Sequence, residues 1–234
     1  MLAIPRYIEN AKVQEQPIEY KWKPYLGMEI IEKYSSNIKL AVDEISLRAT
    51  LTLGLGVAEW MTWRLNGRSQ YQQVYLYVDA LWARTVDRHY LKVDELKRPA
   101  DTGDPIIGPL RALEHALADM ITKTLVNHPE RAKTIAQLVS LVRYTLVNRG
   151  EFDEWLKAAI ARFVHLYAFD PQNVAGGLVP RSFLDPQVEP ATENIPALLD
   201  EQLRSIDYSG NPFLATPEEM RAAGFKGTPY RYLP

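Results

Sequence analysis

Cysteine is absent from the 234 residues. That excludes disulfides, thiolate metal sites and cysteine nucleophiles. Neither sign of charge dominates: 27 Lys and Arg stand against 29 Asp and Glu, a net charge of −2. Nucleic acid and anionic membranes select concentrated positive charge, so neither is an expected partner. Histidine is scarce, with four in the chain, and none has a glutamate three residues before it. The Glu-x-x-His and His-Glu-x-x-His spacings of helical metal sites are therefore missing. His115 and Asp119 lie four apart, but two ligands fall short of the three or four that a metal needs. No metal, cofactor or catalytic residue is assigned. A long uninterrupted apolar run is also lacking. Glu59 and Arg64 break the Leu51–Leu65 stretch, and about twenty apolar residues are needed to span a bilayer. The opening MLAIPRYIENAKVQEQ lacks the basic start and apolar run of a signal peptide, so a cytoplasmic location is expected.

Three glycine patterns fail their context tests. Gly54-Leu55-Gly56 begins like a dinucleotide fingerprint, yet Glu59 holds the third glycine position and no strand precedes it. Gly176-Gly177 lacks the lysine of a phosphate loop, and the Gly-x-Ser-x-Gly serine elbow does not occur.

What is present is helical pattern. Hydrophobic residues make up 47% and charged residues 24%, values suited to a sizeable core. The centre is Ser36 to Leu65, read as one long helix. Its first half is amphipathic through Ile38, Val42, Ile45 and Ala49; its second half is apolar on nearly every face, which predicts burial on all sides. Gly54 and Gly56 inside it predict close approach by a neighbouring backbone. Asn66-Gly67 marks a turn, and Ser69 to about Leu96 repeats apolar residues at three and four, giving an antiparallel hairpin with the central helix.

Asp104-Pro105 predicts the start of a third helix, with proline at its first position. Asn127-His128-Pro129 starts a fourth that Gly150 ends, and the acidic Glu151, Asp153 and Glu154 open a fifth. The fold class is therefore all-α: about five helices over residues 28–169, built on a central buried hairpin. Residues 1–27 form an extended arm lying on the body, with a short strand possible at Ile18–Lys23. Residues 170–234 hold nine of the 16 prolines and form an irregular wrap with two short helices, near Pro196–Ile206 and Pro217–Ala223. Thr216, Pro217, Glu219 and Gly224 give the second of these defined ends. The three regions make one structural domain.

Arg131, Lys133, Arg143, Arg149, Lys157 and Arg162 outnumber nearby carboxylates by about two, too few for a phosphate-binding face. Arg111, Glu114 and His115 are expected on a solvated face.

Two carboxylates stand in apolar surroundings, Glu59 in VAEWMTWR and Asp79 in VYLYVDALWAR. A buried carboxylate must be paired or protonated. Arg64, Arg84 and Arg88 are the nearest cations of the same hairpin. The residues predict either an ion pair that sets packing register or a ligand pocket walled by Trp60, Trp63, Tyr75 and Trp82. At the C-terminus, Phe213 and Phe225 are expected anchors. Tyr230, Arg231 and Tyr232 are candidates for a partner interface, where Tyr and Arg concentrate.

Two functions remain open. One is a protein-binding module, of the immunity-protein or antitoxin kind, that neutralises another protein by direct contact. The alternative is an enzyme or small-molecule binder with a pocket around Glu59 and Asp79.

Overall fold

The structure is a computed structural model that describes residues 2–92, 102–191 and 194–233. Among the described residues there are ten α-helices, three short 3-10 helices and no strand. The helices are α1 (Arg6–Asn10), α2 (Leu26–Ile31), α3 (Ser36–Asp43), α4 (Leu47–Leu65), α5 (Gln73–Val86), α6 (Ile107–Leu125), α7 (Arg131–Thr145), α8 (Gly150–Leu166), α9 (Ile195–Arg204) and α10 (Pro217–Ala222). The fold is all-α, as the periodicity predicts. No helix among the described residues is long and apolar enough to cross a membrane.

The predicted central helix is two helices. It breaks at Glu44-Ile45-Ser46, where α3 ends and α4 begins. Chain from beyond α8 takes the exposed backbone groups at that break. Ser46 N–H donates to Tyr167 O (2.9 Å), Leu47 N–H to Val174 O (3.1 Å) and Arg48 N–H to Ala175 O (3.1 Å), while Phe169 N–H donates to Glu44 O (2.8 Å). The first N–H groups of any helix lack internal acceptors. Here distant carbonyls supply acceptors for Ser46, Leu47 and Arg48, while the buried Ser46 hydroxyl is left without a hydrogen-bond partner among the described residues.

α4 itself is buried from Ala49 to Thr62 without interruption and packs against α5, α6, α7 and α8. Its glycines are sites of close approach, by side chains rather than a backbone. A Cβ at Gly54 would sit 2.2 Å from Met120 Sδ and 2.7 Å from Ile135 Cδ1; one at Gly56 would sit 2.5 Å from Leu184 Cδ1. The loss of about 1 kcal/mol of helix propensity per glycine is offset by neighbours that could not otherwise reach the axis.

The starts of the remaining helices fall within about a turn of their sequence signals, and two of the ends fall further off. Asp104 works as a cap: its Oδ1 accepts from the N–H groups of Ile106 (2.8 Å) and Ile107 (2.7 Å). The helix then begins at Ile107, two residues beyond the expected proline. Gly150 does not terminate the fourth helix. α7 ends at Thr145, and Gly150 is the first residue of α8, its N–H held by Asn148 Oδ1 (3.0 Å). α5 is shorter at both ends than Ser69–Leu96; the last part of that prediction lies outside the described residues. α10 has the predicted capping box between Thr216 and Glu219.

The arm carries a helix, α1, where extended chain is expected, and Ile18–Lys23 forms no strand. Side chains fasten it instead. Tyr20 donates to Pro105 O (2.6 Å), Tyr144 donates to Lys21 O (2.7 Å), and Tyr7 stacks on Trp155 at 5.2 Å.

Candidate functional site

Glu59 and Asp79 are both buried, 2% and 7% exposed, but neither is held by the cations of its own hairpin. Arg64 follows Glu59 by five residues, and Arg84 follows Asp79 by five. At 100° per residue, five steps turn a side chain about 140° away, to nearly the opposite face of the helix. The sequence already contains this geometry; nearness along the chain hides it. Arg64 is fully buried and donates to backbone, Nη1 to Gln16 O (2.6 Å) and Nη2 to Pro17 O (2.5 Å). It pins the arm rather than neutralising a carboxylate. Arg84 is half-buried and makes no ion pair among the described residues; burial lowers its pKa, and Tyr77 and Asp87 pull it back.

The cation beside Glu59 comes from 122 residues away. Arg181 opens a 3-10 helix, Arg181–Leu184. It donates to Glu59 Oε1 from Nε (2.9 Å) and Nη2 (2.6 Å). Trp82 Nε1 of α5 donates to the same oxygen (3.1 Å). Arg181 Nη2 also reaches Ala3 O (2.8 Å), and Arg181 N–H donates to Gln202 Oε1 of α9 (2.9 Å). Gln202 Nε2 completes the ring by donating to Trp82 O (3.0 Å). One carboxylate thereby ties together the arm, α4, α5, the wrap and α9. Burial pushes the Glu59 carboxyl up, and the Arg181 charge pulls it back without cancelling the rise. For Arg181 burial acts downward, and the Glu59 carboxylate more than reverses it.

Asp79 accepts the Leu2 N–H (3.0 Å). Burial raises its pKa, and that hydrogen bond opposes the rise. Between Glu59 and Asp79, beside Leu2 and Tyr75, lies a cavity of about 10 Å³, room for roughly one water. Trp60 does not line it and instead packs edge-on against Phe152 and at a tilt against Trp155.

A third buried carboxylate escapes the sequence reading. Glu114, expected on a solvated face, is 1% exposed. Tyr71 and Gln73 donate to its two oxygens. Its stripe on α6 is polar at Arg111 and His115, and its partners come from Tyr71, just before α5, and Gln73, the first residue of α5.

The C-terminal candidates separate. Tyr230 is buried, with its hydroxyl on Ala215 O (2.7 Å) and its ring stacked on Tyr208 at 4.4 Å. It is a packing residue, not the surface residue expected. Arg231 is exposed and forks onto Asp200, Nε to Oδ1 (2.7 Å) and Nη2 to Oδ2 (3.1 Å). Tyr232 is half-buried and donates its N–H to Asp200 Oδ1 (2.9 Å). Of the expected anchors, Phe213 is buried against Tyr77 and Phe225 half-buried beside Tyr90.

The larger concavity is on the surface. A groove of about 370 Å³ runs between α1 and α8 and is closed at one side by residues 185–187. That volume lies within the range of ligand and side-chain pockets, about 300–1,000 Å³. Tyr7 and Trp155 line its apolar wall, and Ala158 leaves space beside them. Glu151, Glu154 and Asp185 supply carboxylates; Arg6 is the cation. Arg162 of α8 fixes the closing loop by donating to Phe183 O (3.0 Å), Asp185 O (2.8 Å) and Pro186 O (3.0 Å). No periodic signal in the sequence joins residues 6–11 to residues 151–158, so the groove is a product of tertiary packing.

Among the described residues no cluster of three or more His, Asp or Glu is placed to hold a metal ion. No protein-family model, curated protein or solved structure matches the chain.

Proposed function

We propose that the chain is a helical protein-binding module that acts by occupying another protein, in the manner of an immunity protein or antitoxin, and that the groove between α1 and α8 is part of the contact. The observation that carries this reading is the contrast between two concavities. The one at the hairpin carboxylates has room for about one water, and Glu59 Oε1, Asp79 and Arg181 are spent on joining arm, hairpin and wrap, with Glu59 Oε2 left unbonded among the described residues. The one between α1 and α8 is open, about 370 Å³, and has an aromatic wall beside Glu151 and Glu154, which make no ion pair among the described residues. A surface that mixes aromatic rings with charged rims suits a protein partner, which needs complementarity rather than a reaction centre.

The test is site-specific crosslinking. A photoreactive residue at Gln187, inside the groove, is expected to capture a discrete partner from cells expressing the chain with the products of its neighbouring genes. The same residue at Met28, which is 61% exposed on α2, serves as the comparison. Capture from Met28 and not from Gln187 would put the contact elsewhere. A purified chain that carries a small molecule in native mass spectrometry, displaced by Ala158→Trp, would replace the protein-binding reading by a ligand-binding one.

A further inference from the structure

We propose that the groove between α1 and α8 receives a basic side chain, lysine or arginine, presented by the partner protein. This rests on the reading of the groove as a protein contact and adds the chemistry of what enters it. Three carboxylates line the groove against one guanidinium. That guanidinium is already committed: Arg6 binds Asp185 Oδ2 through Nε (3.1 Å) and Nη2 (3.0 Å). Glu151 and Glu154 have no ion pair among the described residues, whereas their neighbour Asp153 is held by Arg143 Nε at 2.7 Å.

The helix dipole accounts for Glu151, which lies in the first turn of α8 and balances the positive helix end. It does not account for Glu154, the fifth helical residue, because the dipole's influence fades beyond the first turn. Residues 151 and 154 are three apart, so both point from one face of α8 into the groove. Residue 158, four further on, continues that face with a small alanine. A lysine or arginine suits this arrangement in both of its parts. Its alkyl stem lies along Tyr7, Trp155 and Ala158, and its charged head reaches Glu151 and Glu154. An acidic side chain would meet two carboxylates, and a purely apolar one would bury them without a counter-charge.

The experiment titrates the full chain with two blocked hexapeptides, one alternating arginine and alanine, the other glutamate and alanine. Binding is read from the indole N–H resonance of Trp155 and from calorimetry. The arginine peptide is expected to shift that resonance, to bind more weakly as salt is added, and to bind about tenfold more weakly to E151Q/E154Q, the scale of two exposed ion pairs. Both substitutions are on the surface, and an unchanged melting temperature shows that the fold is kept. Equal binding of the glutamate peptide, or equal affinity in E151Q/E154Q, overturns the proposal. So does self-association that E151Q/E154Q abolishes, which would make a second copy the occupant. If the arginine peptide fails but Gln187 still captures a partner, the basic chemistry is wrong and the protein-binding reading survives. If Gln187 captures nothing either, both fall.

Discussion

The ion pair of Arg181 with Glu59 ties the last third of the chain to α4, that of Arg231 with Asp200 ties the C-terminal end to α9, and the two differ in nearly every respect that matters. Asp200 and Arg231 have the better geometry, with two nitrogens on two oxygens. Their side chains are nevertheless 16% and 42% exposed, so water and salt compete for both. Glu59 and Arg181 place two nitrogens on one oxygen, yet their side chains are 3% and 17% exposed. Burial decides the outcome. An exposed pair is close to neutral because each partner is well solvated alone. A buried pair need not exceed an apolar replacement, but removal of one partner strands a charge in a medium that cannot solvate it. The inner pair is thus a lock on the register of arm, hairpin and wrap, whereas the outer pair tidies a surface.

The largest expected effect comes from deleting residues 212–234. This removes Arg231 but also Phe213, Leu214, Met220 and Tyr230, all buried. At about 1.5–3 kcal/mol per buried side chain, their sum approaches the whole stability of an ordinary domain, about 5–15 kcal/mol. The deleted chain is expected to lose its cooperative melting transition in circular dichroism. A retained transition near the parent's temperature would mean that the segment does not clasp the body.

Next is Arg181→Ala, which leaves Glu59 unpaired and should cost about 3–5 kcal/mol in urea unfolding. Pairing it with Glu59→Gln should recover part of that loss, because the stranded charge is gone. A single-variant loss below about 1 kcal/mol, the range of exposed pairs, would erase the contrast between inner and outer pairs.

The inner region should also announce itself through pH. Burial raises the Asp79 carboxyl. The stability that this group contributes is therefore fully present below its unfolded pKa, about 3.9, and is lost as pH rises through the folded value. Asp79→Asn keeps an acceptor for the Leu2 N–H and removes the titration. Its unfolding free energy should fall less than the parent's between pH 4.5 and 7.5. Parallel profiles for the two proteins would show that Asp79 does not ionise differently on folding.

The smallest effect is expected for Arg231→Ala. The hydrogen bond from Arg231 holds the Asp200 carboxyl below its usual range. Whatever that pair contributes is present above the unfolded aspartate pKa and fades as pH falls through the lower folded value. At neutral pH the variant's melting curve should overlay the parent's. A clear downward shift would mean that the outer pair is worth more than its exposure allows, and that the deletion's effect is partly electrostatic.

How much of this was legible beforehand depends on the range of the interaction. The burial of α4 could be read from Leu51, Leu53, Leu55, Val57 and Trp60, because residues apolar on every face can be satisfied only by neighbours on every side. The ends of α10 could be read from Thr216, Pro217 and Glu219, because a capping box closes within four residues. Glu59 and Asp79 could be recognised as buried, and the five-residue spacing to Arg64 and Arg84 could have ruled those arginines out. The identity of Arg181 could not be recovered in the same way, since nothing in its local sequence, Pro180-Arg181-Ser182, distinguishes it from a surface residue.

Sequence alone therefore determined the helical class, the central buried segment and the presence of charge inside it, because each follows from side-chain patterns repeated within a turn or two. The tertiary structure alone decided where the long central pattern breaks, since Glu44, Ser46, Leu47 and Arg48 exchange hydrogen bonds with backbone from residues 167–175. It also decided which arginine meets Glu59 and that α1 lies beside α8 to form a groove. Those outcomes depend on chain segments more than a hundred residues apart arriving at one place, and a periodicity that spans a few turns carries no record of that distance.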